Sequence, residues 1–342
     1  MPRVSVVMPV FNAAATVWRA VESVRTQIFA DWELIVIDDG SADGTRDILA
    51  EIARNEPRVR ILARRHEGLV AALNAGLELA RGEFVARMDA DDESHPERLD
   101  AQVAFLAAEE NRDVGVAGCL VEFGGDRAAG AGYALHVEWL NSLVSAEEIA
   151  LNRFVESPLA HPSVMFRREL VQRHGGYRAG DFPEDYELWL RWSAAGVRIA
   201  KVPRVLLTWH DAPGRLSRRD ARYAPEAFFR MKAEWIARWL AVEGVGAERK
   251  IFVWGAGRHT RKRAAHLTAH GVTIAGYIDV DAKKTGRGLG GTGVPVLAED
   301  ALPDVGEIFV LSYVTTRGAR DYNRGKLTAR GYVEGRDFLM CG

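Results

Sequence analysis

Four apolar runs rich in β-branched residues, each followed by a helix-like segment, constrain this chain more than any other feature. "VSVVMPV" is continuous and apolar, broken only by Pro9. "TVWRAVESVRTQIF" follows, with Val17, Val21, Val24 and Ile28 at helical spacing. "WELIVIDDGSADGT" is a second such run that ends in Asp38 and Asp39, and "TRDILAEIARN" turns Ile48, Leu49 and Ile52 to one side. "VRILAR", "GLVAALNAGLELARG" and "EFVARMD" repeat the alternation; Gly82 lies just past the third helix, and Pro96 suits the first turn of the next. Uninterrupted apolar strands belong to a parallel sheet covered on both faces. The order predicts an α/β fold whose ligands sit beyond the carboxyl ends of the strands.

Acidic residues collect at those ends. Asp38 and Asp39 close one strand, and "RMDADDE" sets Asp89, Asp91, Asp92 and Glu93 after another. Carboxylates this close repel unless they meet cations or polar groups. Asp89 and Asp91, one residue apart on a turn leaving a strand, can converge on a hard cation, Mg2+ or Mn2+, that keeps positions open for phosphate oxygens. Asp38 and Asp39 are placed to accept hydrogen bonds from a nucleobase N–H or from ribose hydroxyls. Later, "FPEDYELWLRW" reads as a helix start, with Glu184 and Asp185 in its first turn and Leu188, Trp189 and Trp192 on its apolar side. A helix N-terminus stabilises a carboxylate as the anion, which is the state a general base requires.

Five segments carry a resemblance: "VSVVMPVFNAAATVWRAVESVRTQ", "ELIVIDDGSADGT", "GLVAALNAGLELARGEFVARMDADD", "PERL" and "GGYRAGDFPEDYELWLR". As an ordered set, spanning roughly Val4 to Ser217, they resemble the nucleotide-diphospho-sugar glycosyltransferases of family 2, whose catalytic domain has the GT-A fold. The resemblance implies that Asp39 reads the base and Asp38 lies near the ribose. It places Pro9 and Asn12 in the first nucleotide-binding loop, Asn12 chiefly as a turn former. It makes Asp89 and Asp91 the metal and diphosphate motif, Asp91 the direct ligand, and leaves Asp92 either behind the ligands or on the acceptor side. It assigns the base to Asp185, with Glu184 beside it as the second candidate. Many members have N-x-G where this chain has "HEG", His66 to Gly68, and that departure bears on the contacts of Arg64 and Arg65. In "LLTWHDAPGRLSRRDARY" the resemblance offers His210 to the metal or a phosphate and Arg215 and Ser217 as further donors to the diphosphate. One base and a leaving diphosphate imply a single displacement that inverts the anomeric carbon, as in the base half of an inverting hydrolase. His161 and Trp189 each have two readings, an acceptor contact or an ordinary loop and core residue.

The remainder of the chain changes character. "YAPEAFFRMKAEWIARWLAVEG" reads as a long helix packed between domains, and "KIFVWGAGRHT" opens a second α/β unit resembling the start of a Rossmann-like domain. Thr260 stands where the last glycine of G-x-G-x-x-G belongs, and Asp279 lies at the distance of a ribose-binding acid. Arg317 and Arg320 in "TTRGAR" offer charge to an anion. The expected division is a catalytic domain over 1–220, a linking helix over 221–246 and an accessory domain over 247–342, the last a docking or dimerising module.

Together these readings give a metal-dependent inverting glycosyltransferase that passes a sugar to a glycan or lipid-linked glycan in cell-surface or secreted glycan synthesis. The alternatives are an NAD(P)-dependent oxidoreductase built on "GAG", or a non-enzymatic nucleotide-sugar scaffold. A net charge of -2, from 45 Lys plus Arg against 47 Asp plus Glu, argues against a nucleic-acid partner. Cys119 and Cys341 form no disulfide or metal pattern, which suits a reducing compartment. Without a leader-like start or an uncharged run of membrane-spanning length, the expectation is a cytoplasmic protein. The basic run Arg258 to Arg263 is compatible with peripheral membrane contact, and a homo-oligomer is compatible with the second unit.

Overall fold

The computed structural model describes residues 1–127, 130–211, 215–286, 293–316 and 318–342. Contacts divide them into two units. The first comprises Met1–Ile149, Pro158–Gly180 and Arg191–Arg219; the second comprises Ala150–Ser157, Asp181–Leu190 and Asp220–Gly342.

The first unit is built on one eight-stranded sheet. Its strands are β1 (Val4–Val10), β2 (Trp32–Asp38), β3 (Val59–Ala63), β4 (Phe84–Arg87), β5 (Glu93–Ser94), β6 (Val114–Gly124), β7 (Met165–Arg167) and β8 (Arg198–His210). They lie in the order β3-β2-β1-β4-β7-β6-β8-β5. The first four are parallel, β7 runs antiparallel to both β4 and β6, and β5 pairs antiparallel with the end of β8. Every residue of β1 and β2 is buried, as uninterrupted apolar strands require. The helices α1 (Val17–Arg25), α2 (Thr45–Asn55), α3 (Leu69–Leu79), α4 (Arg98–Ala107) and α5 (Ala131–Ser142) carry the apolar faces that cover it. Each fully buried Val, Leu or Ile contributes about 1.5–3 kcal/mol.

Close packing fixes particular residues. A methyl at Gly76 of α3 would come within 2.4 Å of Val7 and 2.7 Å of Ile37, so α3 lies directly on β1 and β2. The helix expected to run through Ile28 stops at Arg25, so helical spacing does not reach Ile28, which is 62% exposed. Gln27 turns inward instead, donating to the His95 carbonyl at 2.6 Å and accepting from the Leu99 amide at 2.9 Å.

The second unit carries a five-stranded sheet of β9 (Lys250–Trp254), β10 (Ile274–Asp279), β11 (Val296–Ala298), β12 (Ile308–Ser312) and β13 (Phe338–Met340). All its pairings are parallel, in the doubly wound order β11-β10-β9-β12-β13. The helix Pro225–Val242 buries Phe229, Met231, Trp235 and Leu240 in this unit's core, while Phe228 and Trp239 are half-buried. Lys232 on that helix is enclosed, and its ammonium donates to the carbonyls of Val155 at 3.0 Å and Cys341 at 2.6 Å. Both cysteines are buried thiols. No helix among the described residues is long and apolar enough to cross a membrane.

A charged knot locks β1 and β2 to the turn before β4. Glu33 is buried and accepts from the Ser5 hydroxyl at 2.7 Å, the Arg81 amide at 3.1 Å and the Arg60 guanidinium at 2.9 Å, and it pairs with the Arg81 side chain. Burial alone would raise its carboxyl, but the hydrogen bonds from Arg81, Ser5 and Arg60 outweigh it and bring the group down to about 2. A depressed folded value stabilises the fold above the ordinary carboxyl range, and this contribution is lost as pH falls toward 2. Glu33→Gln should therefore cost about 2 kcal/mol in denaturant unfolding near neutral pH. The gap to the parent should narrow as the pH of the measurement drops below the ordinary glutamate value.

Candidate active site

Because β2, β1 and β4 are neighbours, with Val10 opposite Asp38 and Val7 opposite Arg87, their carboxyl ends form one edge of the sheet. Three loops leave there: one through Asn12, one through Asp39, and the acidic turn after Arg87.

The first two loops are clasped together. Pro9 is buried inside β1, opposite Ile37. Asn12 has φ of 50°, a left-handed conformation that Asn tolerates better than bulkier residues. Its side-chain oxygen accepts from the Ala42 amide at 2.9 Å, and its own amide donates to the Ser41 hydroxyl at 2.9 Å. Asn12 is thus a turn former that ties the β1 loop to the β2 loop. Asp38 is buried, accepting from the Ser41 amide at 3.0 Å and from Arg46 at 2.7 Å. Asp39 accepts from the amides of Glu67 at 3.0 Å and Gly68 at 2.8 Å, and lies 2.8 Å from His66 Nδ1. The "HEG" segment therefore wraps backbone N–H groups around this carboxylate. Arg64 donates to the Ala71 carbonyl at 2.7 Å and pairs with Glu67, so it braces the same loop. The His66 ring stacks on Phe11, centroids 4.1 Å apart, and both rings are about half exposed.

The acidic turn is the densest charge in the site. Ligand oxygens of Asp89, Asp91 and Asp92 all lie within 4.8 Å of one another, the one such group among the described residues. Asp92 is fully buried: Oδ1 accepts from the His210 amide at 2.8 Å, and Oδ2 has no hydrogen-bond partner. Burial, then the charges of Asp89 and Asp91, push its carboxyl well above the usual range. Asp91 is raised too, by burial and then by Asp89. These are signs of a site built for positive charge that the chain supplies only in part. An all-oxygen set with an orphaned buried carboxylate oxygen fits a hard divalent cation.

The chain supplies two cations directly. Buried Arg87, the last residue of β4, pairs with Asp89 two residues further on. Arg98, also buried, donates to the Arg87 carbonyl at 2.7 Å and holds the strand end from below. Arg215 lies among the three carboxylates' fields, sheathed by the rings of Tyr133 at 5.0 Å and Trp209 at 4.7 Å. Tyr133, Trp209, Arg87 and Arg98 were not anticipated. The i, i+2 spacing of Arg87 and Asp89 would have revealed the first pair; the aromatic sheath has no local signal.

Other expected residues fall elsewhere. Both ring nitrogens of His210 are engaged, Nε2 with Glu93 at 2.6 Å and Nδ1 with the Gly124 carbonyl at 3.1 Å. The group that fits a metal is accordingly the three aspartates, and His210 touches it through its backbone amide rather than its ring. Ser217 is exposed on the short helix Leu216–Arg219. His161 is buried against the Tyr177 hydroxyl at 2.7 Å, and burial, then Arg87, holds it well below the usual imidazole range. Trp189 is a core residue, 1% exposed.

The second unit holds the helix-borne acids, at the start of the helix Glu184–Ala194. Glu184 is buried and accepts from the Tyr223 hydroxyl at 2.6 Å. Asp185 is half-buried and accepts from the Tyr186 amide at 2.7 Å. Of the two, Asp185 is the more exposed. In the same unit, Asp279 accepts from the Ala256 amide at 2.8 Å and the Asp281 amide at 2.9 Å, and pairs with Lys284 at 3.2 Å. Thr260 reaches within 2.9 Å of the place a methyl on Gly255 would take. The ribose-binding acid of a dinucleotide site is here a staple of its own loop. Arg320 donates to the Gly342 carbonyl at 3.2 Å, and Arg317 lies outside the described residues.

The sequence profile of the family described as "Glycosyl transferase family 2" matches residues 5–175. A putative glycosyltransferase of Bacillus subtilis, EpsE, is 32% identical over 230 residues, covering 65% of this chain and 78% of its own. A second B. subtilis protein, the putative teichuronic acid biosynthesis glycosyltransferase TuaG, is 38% identical over 106 residues, 31% of this chain and 42% of its own. Among solved structures, S. aureus TarS in complex with UDP-GlcNAc superposes with a TM-score of 0.55 at 19% identity, over 79% of this chain and 72% of that one. The likeness to TarS is one of fold, and that fold is GT-A.

If Asp39 organises the "HEG" loop, Asp39→Ala should release two amides at once. Hydrogen exchange at Glu67 and Gly68 should quicken by about tenfold or more, as expected on losing charged acceptors, while β1 stays protected.

Proposed function

The chain belongs to glycosyl transferase family 2, and from that premise we propose that it transfers a sugar from a nucleotide-diphospho-sugar to an acceptor hydroxyl, with inversion and with a divalent cation. As a family 2 member it is a glycosyltransferase, which sets aside the oxidoreductase and scaffold readings. The observation that carries the finer proposal is the convergence of three carboxylates at the carboxyl edge of the sheet, one with a buried oxygen lacking a partner.

Asp91 and Asp89 would hold the cation, Mn2+ or Mg2+, with Asp92 completing the set. When bound, such an ion neutralises charge on a departing diphosphate. The chain's own groups do the rest. Arg215, kept charged by its acidic surroundings and fixed between two rings, presents a guanidinium to phosphate oxygens. Arg87 keeps Asp89 in place. The clasped loops through Asn12 and Asp39 give the nucleoside a preformed floor, with the Phe11 and His66 rings at its exposed edge. Asp185 takes the proton from the acceptor hydroxyl, which attacks the anomeric carbon on the side opposite the diphosphate. Its place in the first turn of a helix favours the anion that this role requires.

A donor of the class bound by TarS and a glycan or lipid-linked glycan acceptor suit this chemistry, and the name of TuaG supports a role in polysaccharide synthesis. A catalytic domain over 1–220, a linking helix over 221–246 and a docking or oligomerising module over 247–342, in a cytoplasmic protein with membrane contact through partners, complete the proposal.

Transfer from a panel of UDP- and GDP-sugars, read by mass with and without Mn2+, tests it. Asp185→Asn should lower kcat by about 10²- to 10⁴-fold with the donor KM little changed, whereas Glu184→Gln should retain most of the rate. An Asp185→Asn enzyme at the parent rate would move the base elsewhere.

A further inference from the structure

Glu93 is the fourth acid of the turn, and the mechanism above gives it nothing to do. Its Oε1 lies 3.1 Å from Arg19 Nε and 2.6 Å from His210 Nε2. The other arm of the Arg19 guanidinium donates to the backbone carbonyl of Asp91 at 2.9 Å. We propose that Arg19, Glu93 and His210 form a bracket that positions the acidic turn, with Arg19 the positioning residue for Asp91; this rests on the metal-site reading above.

The need for a bracket is electrostatic. Three carboxylates within 4.8 Å repel, and a free turn would relax by swinging them apart. Arg87 already pairs with Asp89, and a further salt bridge to Asp91 itself would consume an oxygen meant for an ion. Arg19 avoids this by gripping the Asp91 carbonyl, which fixes the backbone and leaves the Asp91 carboxylate free. A planar guanidinium can hold two acceptors in fixed directions, here the Asp91 carbonyl and the Glu93 carboxylate. The end of the turn is also anchored by β5, two residues long, with Glu93 opposite Thr208 and Ser94 opposite Leu207, and by the Ser94 amide donating to the Ser23 hydroxyl at 3.0 Å.

His210 closes the other side. Its amide donates to Asp92 at 2.8 Å, its ring engages Glu93, and its carbonyl accepts from Arg215 at 3.2 Å. The ring is seated by design of the backbone: a methyl on Gly124 would come within 2.7 Å of His210 Nδ1 and 2.8 Å of Thr208. The four acids thus divide their work: three gather as the proposed ligands, Asp89 while paired with Arg87, and the fourth is held by Arg19 and His210. Arg19 stands on α1 beside buried Ala20 but is itself 44% exposed, so its loss removes little of the core.

The test measures Mn2+ binding to the full chain by the loss of the free-ion electron paramagnetic resonance signal, alone and with UDP or GDP, alongside thermal melting without metal. Arg19→Met and Glu93→Gln should each weaken Mn2+ binding by about tenfold or more, the scale for partners of metal ligands, with metal-free melting close to the parent. Arg19→Lys should recover part of the loss, because an ammonium restores the Glu93 pair but not the second, directed bond. Parent-like affinity in both Arg19→Met and Glu93→Gln, while Asp91→Ala abolishes binding, overturns the bracket and leaves the metal site standing. A loss that tracks melting, or a lysine variant no better than methionine, also overturns it. No Mn2+ binding by the parent chain overturns the metal reading and the bracket together.

Discussion

Like charges crowded at the end of a β-strand repel, and the first unit is arranged around bearing that repulsion. Asp89, Asp91 and Asp92 share a space a few ångströms wide, and Asp92 is wholly removed from water. A turn like this survives because cations approach it from several elements. Arg87 comes from the strand beneath, Arg215 from the segment after β8, and Arg19 from α1 through Glu93, which the His210 ring also holds. None of them satisfies Asp92 Oδ2, and that shortfall is what suits the turn to the divalent ion proposed above rather than to a closed salt-bridge knot.

The two acidic strand ends look alike in sequence and differ in use. Asp38 and Asp39 are held by Ser41, Arg46 and the backbone of the "HEG" loop, and on the proposed function they shape the nucleoside floor from within. Among the described residues, the amide given to the turn after β4 from outside it is that of His210, on Asp92. Number and placement of N–H donors, not the count of carboxylates, separates a structural acid pair from a binding one.

The parallel sheet was legible because its strands are buried on both faces and so read as unbroken apolar runs. Helix ends were less so: nothing local showed that α1 would stop at Arg25 and leave Ile28 in solvent. The aspartates of the turn were visible as a motif, and Asn12 as a turn former. The roles of Arg19, Glu93, Tyr133 and Trp209 were not, because each depends on elements that meet only when β5 pairs with β8 and α5 packs on β6. His210 was legible as a neighbour of the acidic turn but not in its orientation, which is allowed by the absence of a side chain at Gly124.

The central claim is that the three aspartates gather a divalent ion against a nucleotide's diphosphate. Anomalous diffraction at the manganese edge, from crystals of the chain grown with Mn2+ and UDP or GDP, tests it most directly. The account predicts a single strong peak ligated by Asp91 and Asp89, with Asp92 turned toward it and the diphosphate on its open side. A peak elsewhere, or a bound nucleotide with those carboxylates empty of metal, would contradict it.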